Sequence, residues 1–154
     1  MKILLKNQIT RKLTCIPQEM SVHEAKKIMQ NNWFRHLPIK DAGGEYILGM
    51  ISDRDLLRAH SENQTVSSLM SSPVKTYDIE TPVKTIVHSM IESKVSAFLI
   101  TQKGEIIGIV TSEDLLLLLS QVLTESHKTE MILSQYMASP LFQQSINMLN
   151  QAGI

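Results

Sequence analysis

Gly49-Met50-Ile51-Ser52-Asp53-Arg54-Asp55 and, 59 positions later, Gly108-Ile109-Val110-Thr111-Ser112-Glu113-Asp114 follow one pattern. Each reads Gly, two apolar residues, a hydroxyl residue, two variable positions and Asp. A hydroxyl followed three residues later by an acid, where a strand gives way to a helix, is an N-cap signature. A carboxylate in the first helical turn can also accept both hydroxyls of a ribose, while the cap hydroxyl and free backbone N–H groups can receive a phosphate. The two readings are compatible.

Working outward, the surroundings of the motif are duplicated as well. Ser21 to Met29 and Thr81 to Met90 both carry apolar residues at helical spacing, and Val22 precedes Val83 by 61 positions. Ser21 with Glu24 predicts a capping box, and Thr81 before Pro82 predicts an N-cap with a first-turn proline. Two strand-like runs follow each helix: Leu37 to Lys40 with Tyr46 to Ser52, then Ala97 to Thr101 with Ile106 to Thr111. Asp41-Ala42-Gly43-Gly44 and Gln102-Lys103-Gly104 supply the hairpin turns, and their unequal lengths shorten the repeat offset from 61 to 59. Helices are expected over Asp53 to Ala59 and Ser112 to Leu118, and a strand before each unit over Leu13 to Ile16 and Val74 to Tyr77. The fold class is therefore α+β: β-α-β-β-α twice, over 8–65 and 66–120, with a helical extension over 121–154. Units of about 60 residues are marginal alone, so the two copies are expected to pack as one pseudo-twofold globule.

Composition narrows the functional classes. The chain has 154 residues, 43% hydrophobic, with 15 basic and 15 acidic residues, so its formal net charge is zero. That balance lacks the electrostatic footprint of nucleic-acid or anionic-membrane binding, and Lys2, Lys6, Arg11 and Lys12 make only a modest basic start. Cys15 is the single cysteine, which excludes an intrachain disulfide and Cys-rich zinc frameworks. The short apolar stretch after Met1 is no secretory segment, and Leu115 to Leu119 is far below the roughly 20 residues of a membrane span. A cytoplasmic protein is expected.

Catalytic patterns are missing. His23-Glu24 begins a His-Glu-x-x-His site, but Lys27 stands at its end; His60, His88 and His127 lack metal-ligand spacing. There is no nucleophile elbow or phosphate-binding Gly-Lys-(Ser/Thr) loop, so no enzyme is expected. Met29, Met70 and Met90 read as packing residues. Beyond Ser120, residues 121–137 extend the last helix or form another. Ser139 and Pro140 then open a short amphipathic helix carrying Phe142, Ile146 and Leu149. It either covers the module or forms an interface.

The doubled unit, with Gly-apolar-apolar-(Ser/Thr)-x-x-Asp and with Arg35-His36-Leu37-Pro38-Ile39 as a basic-apolar-Pro-apolar second strand, resembles a tandem pair of cystathionine β-synthase (CBS) domains, the Bateman module. The resemblance covers about residues 8 to 120. It implies a non-enzymatic regulatory module that requires no cofactor. In a cleft between repeats it would sense AMP, ADP or ATP, or a related adenosyl ligand such as S-adenosylmethionine. It also implies a homodimer acting on a client protein; a ligand-free dimerisation module is the alternative. Carried over residue by residue, Thr111 and Asp114 would face Arg35 and His36, with Val74, Lys75, Thr76 and Val110 at the adenine. Ser52 and Asp55 would face the uncharged Ser96 and Ala97, with Thr14, Cys15, Ile16 and Ile51 at the adenine. Arg54 would reach a phosphate or remain a solvated first-turn arginine. The Asp114 site is expected to take phosphorylated ligands, and the Asp55 site to be empty, weaker or suited to a less charged compound. Leu99, standing where Pro38 stands in the first copy, marks the second copy's departure from the family pattern.

Overall fold

A computed structural model describes residues 5–140, 142–144 and 146. Met1, Lys2, Ile3 and Leu4 of the N-terminal stretch, and Leu141, Ser145 and Leu149 of the C-terminal helix reading, lie outside the described residues. Contacts divide the chain into a unit over Met1–Asp114 and another over Leu115–Ile154.

The first unit contains the duplicated β-α-β-β scaffold. The first repeat orders β1 (Ile16–Pro17), α1 (Val22–Asn32), β2 (His36–Lys40), β3 (Ile47–Ser52) and α2 (Asp53–Leu56). The second orders β4 (Thr76–Asp78), α3 (Val83–Ser93), β5 (Ala97–Gln102), β6 (Glu105–Thr111) and the start of α4 (Ser112–Met137). Each repeat forms a three-stranded sheet, β1-β2-β3 and β4-β5-β6, with its first pair parallel and its second antiparallel. A parallel pair needs a crossover, which α1 and α3 provide.

Burial follows the repeat. Val22, Ala25 and Met29 of α1 pack with Leu37, Ile39 and Ile51 in one core cluster. Ile86 and Met90 of α3, and Phe98, Leu99 and Ile100 of β5, are buried in the second repeat. Burying each such large aliphatic side chain contributes about 1.5–3 kcal/mol.

Helix starts follow local chemistry. The Ser21 hydroxyl receives the Glu24 N–H while Glu24 accepts from the Ser21 N–H, which closes the expected capping box. At α3 the cap is Pro82 rather than Thr81, and no side chain caps it; Pro82 has no N–H, but its carbonyl takes the Thr85 and Ile86 amides. α2 ends at Leu56, short of the expected Ala59.

The strand expected at Leu13 to Ile16 starts only at Ile16, and that expected at Val74 to Tyr77 starts at Thr76. The residues before them cross to the other repeat. Thr10 pairs with Ile109 of β6, and Ser71 pairs with Met50 of β3. Both bridges are closed by two backbone hydrogen bonds of 2.9–3.0 Å. Their equivalence under the repeat offsets is the pseudo-twofold symmetry seen at the level of single residues. Each crossing explains the glycine that opens the duplicated motif: a Cβ on Gly108 would stand 2.7 Å from the Thr10 carbonyl oxygen, and one on Gly49 2.8 Å from that of Ser71.

In the second unit, α4 continues unbroken to Met137, so residues 121–137 extend the last helix. Ser139 accepts the Phe142 N–H through its hydroxyl, and the rings of Phe142 and Tyr136 lie 5.2 Å apart. Among the described residues, no helix is long and apolar enough to cross a membrane, and no cluster of three metal-ligating side chains occurs.

Candidate functional site

Because each N-terminal crossing segment lies against the other repeat's third strand, two clefts form within the first unit, each lined by both repeats. The first, about 270 Å³, brings together Thr111, Asp114, Arg35 and His36, with Thr10, Lys12 and Thr14 along one wall and Trp33 and Phe34 near the end of α1. The second, about 240 Å³, brings together Ser52, Asp55 and Arg54 with Ser96 and Ala97, and adds Val74, Lys75 and Lys94. Size does not distinguish them, so the lining must.

The walls expected for the adenine are exchanged. Thr14 belongs to the cleft of Asp114, whereas Val74 and Lys75 belong to that of Asp55. The crossings account for this: a strand assigned by sequence to its own repeat is preceded by residues that pair with the other. Five further candidates, Cys15, Ile16, Ile51, Thr76 and Val110, line neither cleft. Ile16, Ile51 and Val110 are buried core, and Thr76 is exposed on β4. Cys15 is half-buried, and burial pushes its thiol up, against the nearby Lys40 charge. The sequence reading missed Lys12, Trp33 and Phe34 in the first cleft and Lys94 in the second; the repeat offset of 61, which aligns Trp33 with Lys94, is the signal that finds two of them.

The two carboxylates share a cap but differ in their second oxygen. Asp114 Oδ2 accepts the Thr111 N–H at 2.7 Å and the Thr111 hydroxyl at 2.8 Å, and the Asp114 N–H returns to Thr111 Oγ1 at 3.3 Å. Its Oδ1 has no hydrogen-bond partner among the described residues. Asp55 Oδ2 is held in the same way by the Ser52 N–H and hydroxyl, at 2.9 and 2.7 Å, but its Oδ1 accepts from the Arg58 guanidinium at 2.8 Å. Leu117 stands where the repeat would place the equivalent of Arg58, so Asp114 acquires no such partner. One carboxylate keeps an open acceptor face and the other is closed by its own helix turn.

Charge is distributed against the sequence expectation. Arg35 is partly neutralised: its Nε donates to Asp53 at 3.0 Å. Burial opposes ionisation of Asp53, yet hydrogen bonds from Arg35 and the Arg54 amide, with the Arg35 charge, hold its carboxyl below the usual range. His36 shares a 3.0 Å hydrogen bond with Ser96 and borders both clefts. Burial pushes its pKa below the ordinary 6.5, which disfavours the charged ring, and the attraction of Asp53 does not reverse this. The second cleft is not the uncharged one. Arg54, Lys75 and Lys94 line it, and none has a carboxylate partner among the described residues, while its Asp53 and Asp55 are already paired with Arg35 and Arg58. Lys75 also donates to the Ser89 hydroxyl at 2.8 Å and lies over the rings of Tyr77 and Phe98.

The model of the CBS domain family matches residues 5–62 and 66–121. This chain belongs to the CBS domain family. Two CBS repeats in tandem are generally a regulatory module. Among relatives, an uncharacterized protein of Methanocaldococcus jannaschii is 33% identical over 116 residues, 73% of this chain and 27% of that protein. The L-aspartate semialdehyde sulfurtransferase of the same organism is 29% identical over 114 residues, 73% of this chain and 22% of that enzyme. The chain thus spans about a quarter of the length of these relatives. Among solved structures, the CBS domain pair of protein MJ0100, in complex with 5′-methylthioadenosine and S-adenosyl-L-methionine, is 27% identical, covers 78% of this chain and 98% of its own, and superposes with a TM-score of 0.70.

Proposed function

We propose that this CBS pair is a non-enzymatic sensor that binds an adenosyl ligand in the Asp114 cleft and passes the binding event to a client protein. The observation that carries the reading is the open Oδ1 of Asp114 beside a fully formed cap. It can accept the hydroxyls of a ribose without breaking any bond that holds α4. The Thr111 hydroxyl and the first-turn amides stand next to it, and Thr10 to Thr14 supply backbone groups and apolar wall for the base. The MJ0100 pair, with two adenosyl compounds bound, supports the ligand class. Between the members of that class, a cleft whose Arg35 is paired with Asp53, and whose remaining lining cation, Lys12, is set against the carboxylates of Glu113 and Asp114, favours a ligand with little negative charge, such as 5′-methylthioadenosine or S-adenosylmethionine, over AMP, ADP or ATP.

Asp55 supports the second reading for its own repeat. With both oxygens used within α2 and the turn after it, it serves as a structural cap. The same proposal places the module in the cytoplasm as a homodimer, with Leu57 and Ile91, exposed on the first unit, among the residues a partner copy would cover.

The test is thermal unfolding against AMP, ADP, ATP, 5′-methylthioadenosine and S-adenosylmethionine. A ligand at about 100 times its Kd adds about 2.7 kcal/mol, a rise of several degrees for a chain of this size. The rise is expected with an adenosyl thioether or sulfonium, retained in Asp55→Ala and lost in Asp114→Ala. A midpoint unmoved by every compound contradicts the sensor and leaves the structural module.

A further inference from the structure

Trp33 and Lys94 are separated by 61 residues, the interval between the first helices of the two repeats. Each directly follows its helix, adopts a left-handed backbone (φ 57° and 55°), and donates its N–H to a methionine carbonyl, Met29 or Met90. Left-handed backbone is costly for residues other than glycine, and here it is kept at both copies because it ends the helix and starts the chain toward the second strand. The same geometry therefore delivers two chemically different side chains to equivalent places: an indole to the first cleft and an ammonium to the second.

Trp33 is 92% exposed and is the chain's only tryptophan. It contributes almost nothing to the core, and it lies beside Phe34 in the cleft that contains the open Asp114 oxygen. An aromatic face in that position suits a planar heteroaromatic base, since stacking of a base on an aromatic side chain needs no particular hydrogen-bond pattern. Lys94 has no carboxylate partner among the described residues and joins Arg54 and Lys75 around a cleft whose two aspartates are already paired. That arrangement suits a compact anion.

We infer that this pair of helix-ending residues sorts ligands between the clefts: Trp33 stacks on the base of the adenosyl group in the Asp114 cleft, and Lys94 recruits an anionic phosphate group to the Asp55 cleft. The inference rests on the adenosyl reading and names the residues that set each cleft's ligand class.

The experiment uses the full chain, with 5′-methylthioadenosine and inorganic pyrophosphate as probes, followed by calorimetry and by tryptophan emission. Trp33 is the sole source of that emission. Methylthioadenosine is expected to quench it with the calorimetric midpoint. Trp33→Ala should weaken methylthioadenosine by about tenfold, and Trp33→Phe by no more than about threefold. Lys94→Ala should leave methylthioadenosine binding unchanged and weaken pyrophosphate by about tenfold. Heat from methylthioadenosine with unchanged emission, and equal affinity in Trp33→Ala, overturns the stacking while the adenosyl reading survives. Pyrophosphate that displaces methylthioadenosine, or binds Lys94→Ala as tightly as the parent, or produces no heat, overturns the sorting. No heat from any adenosyl compound overturns both this inference and the reading beneath it.

Discussion

The two clefts have nearly the same volume and are built from equivalent positions, but a single residue three places after each motif aspartate separates them. Arg58 closes Asp55, and Leu117 leaves Asp114 open. The same cap thus serves two ends: in the first repeat it starts the short α2, and in the second it starts the long α4 while keeping an acceptor available. A doubled fold can keep the structural role of a motif in both copies and its binding role in one.

The largest effect that would break this comparison is on the crossings that build both clefts. Gly108→Ala and Gly49→Ala each force a Cβ against a backbone carbonyl, and overpacking of this kind costs about 1–3 kcal/mol. Because the obstacle is main chain, Gly108→Ala is expected near the top of that range, and denaturant unfolding measures it. At the exposed Gly43, where the nearest contact is the Asp41 carboxylate at 3.3 Å, alanine should change little.

Next in size is Arg58→Ala, which sharpens the comparison by making the second site resemble the first. The pair is exposed on the arginine side, so its loss should lower stability by less than about 1 kcal/mol. Freed from Arg58, Asp55 Oδ1 should let the second cleft acquire weak adenosyl binding. A calorimetric titration that stays identical to the parent would show that the guanidinium is not what closes the site.

A smaller effect concerns His36, common to both clefts. Its folded pKa lies below its unfolded value, so between the two the unfolded chain binds the extra proton. The corresponding stability is fully present above about pH 6.5 and is lost as pH falls through the folded pKa. In His36→Gln, this part of the pH dependence should vanish, while the parent loses stability progressively below pH 6.5. Equal acid sensitivity of the two proteins, followed by urea midpoints, would remove His36 from the account.

Much of this architecture was legible in the sequence, since helical spacing, hairpin turns and the two caps are all local signals. The order β-α-β-β-α and the capping box at Ser21 follow from them, whereas the grouping of Thr111 and Asp114 with Arg35 and His36 came only from the family resemblance. What was not legible is non-local. Nothing in Thr10 to Thr14 or Ser71 to Lys75 announces that these segments pair with the opposite repeat, so the cleft walls were assigned to the wrong aspartates. Likewise, the pairing of Arg35 with Asp53 and of Arg58 with Asp55 depends on side-chain geometry, and it changes which charges each cleft offers. Trp33 escaped notice because an exposed tryptophan ending a helix has no motif; only its alignment with Lys94 gives it meaning.

The central claim, one open carboxylate and one closed, is tested most directly by the stoichiometry of 5′-methylthioadenosine binding measured by calorimetry on the parent protein and on Asp114→Ala. The account predicts one site per chain in the parent and none in Asp114→Ala. Two sites per chain of similar affinity, or one site that survives Asp114→Ala, would contradict it.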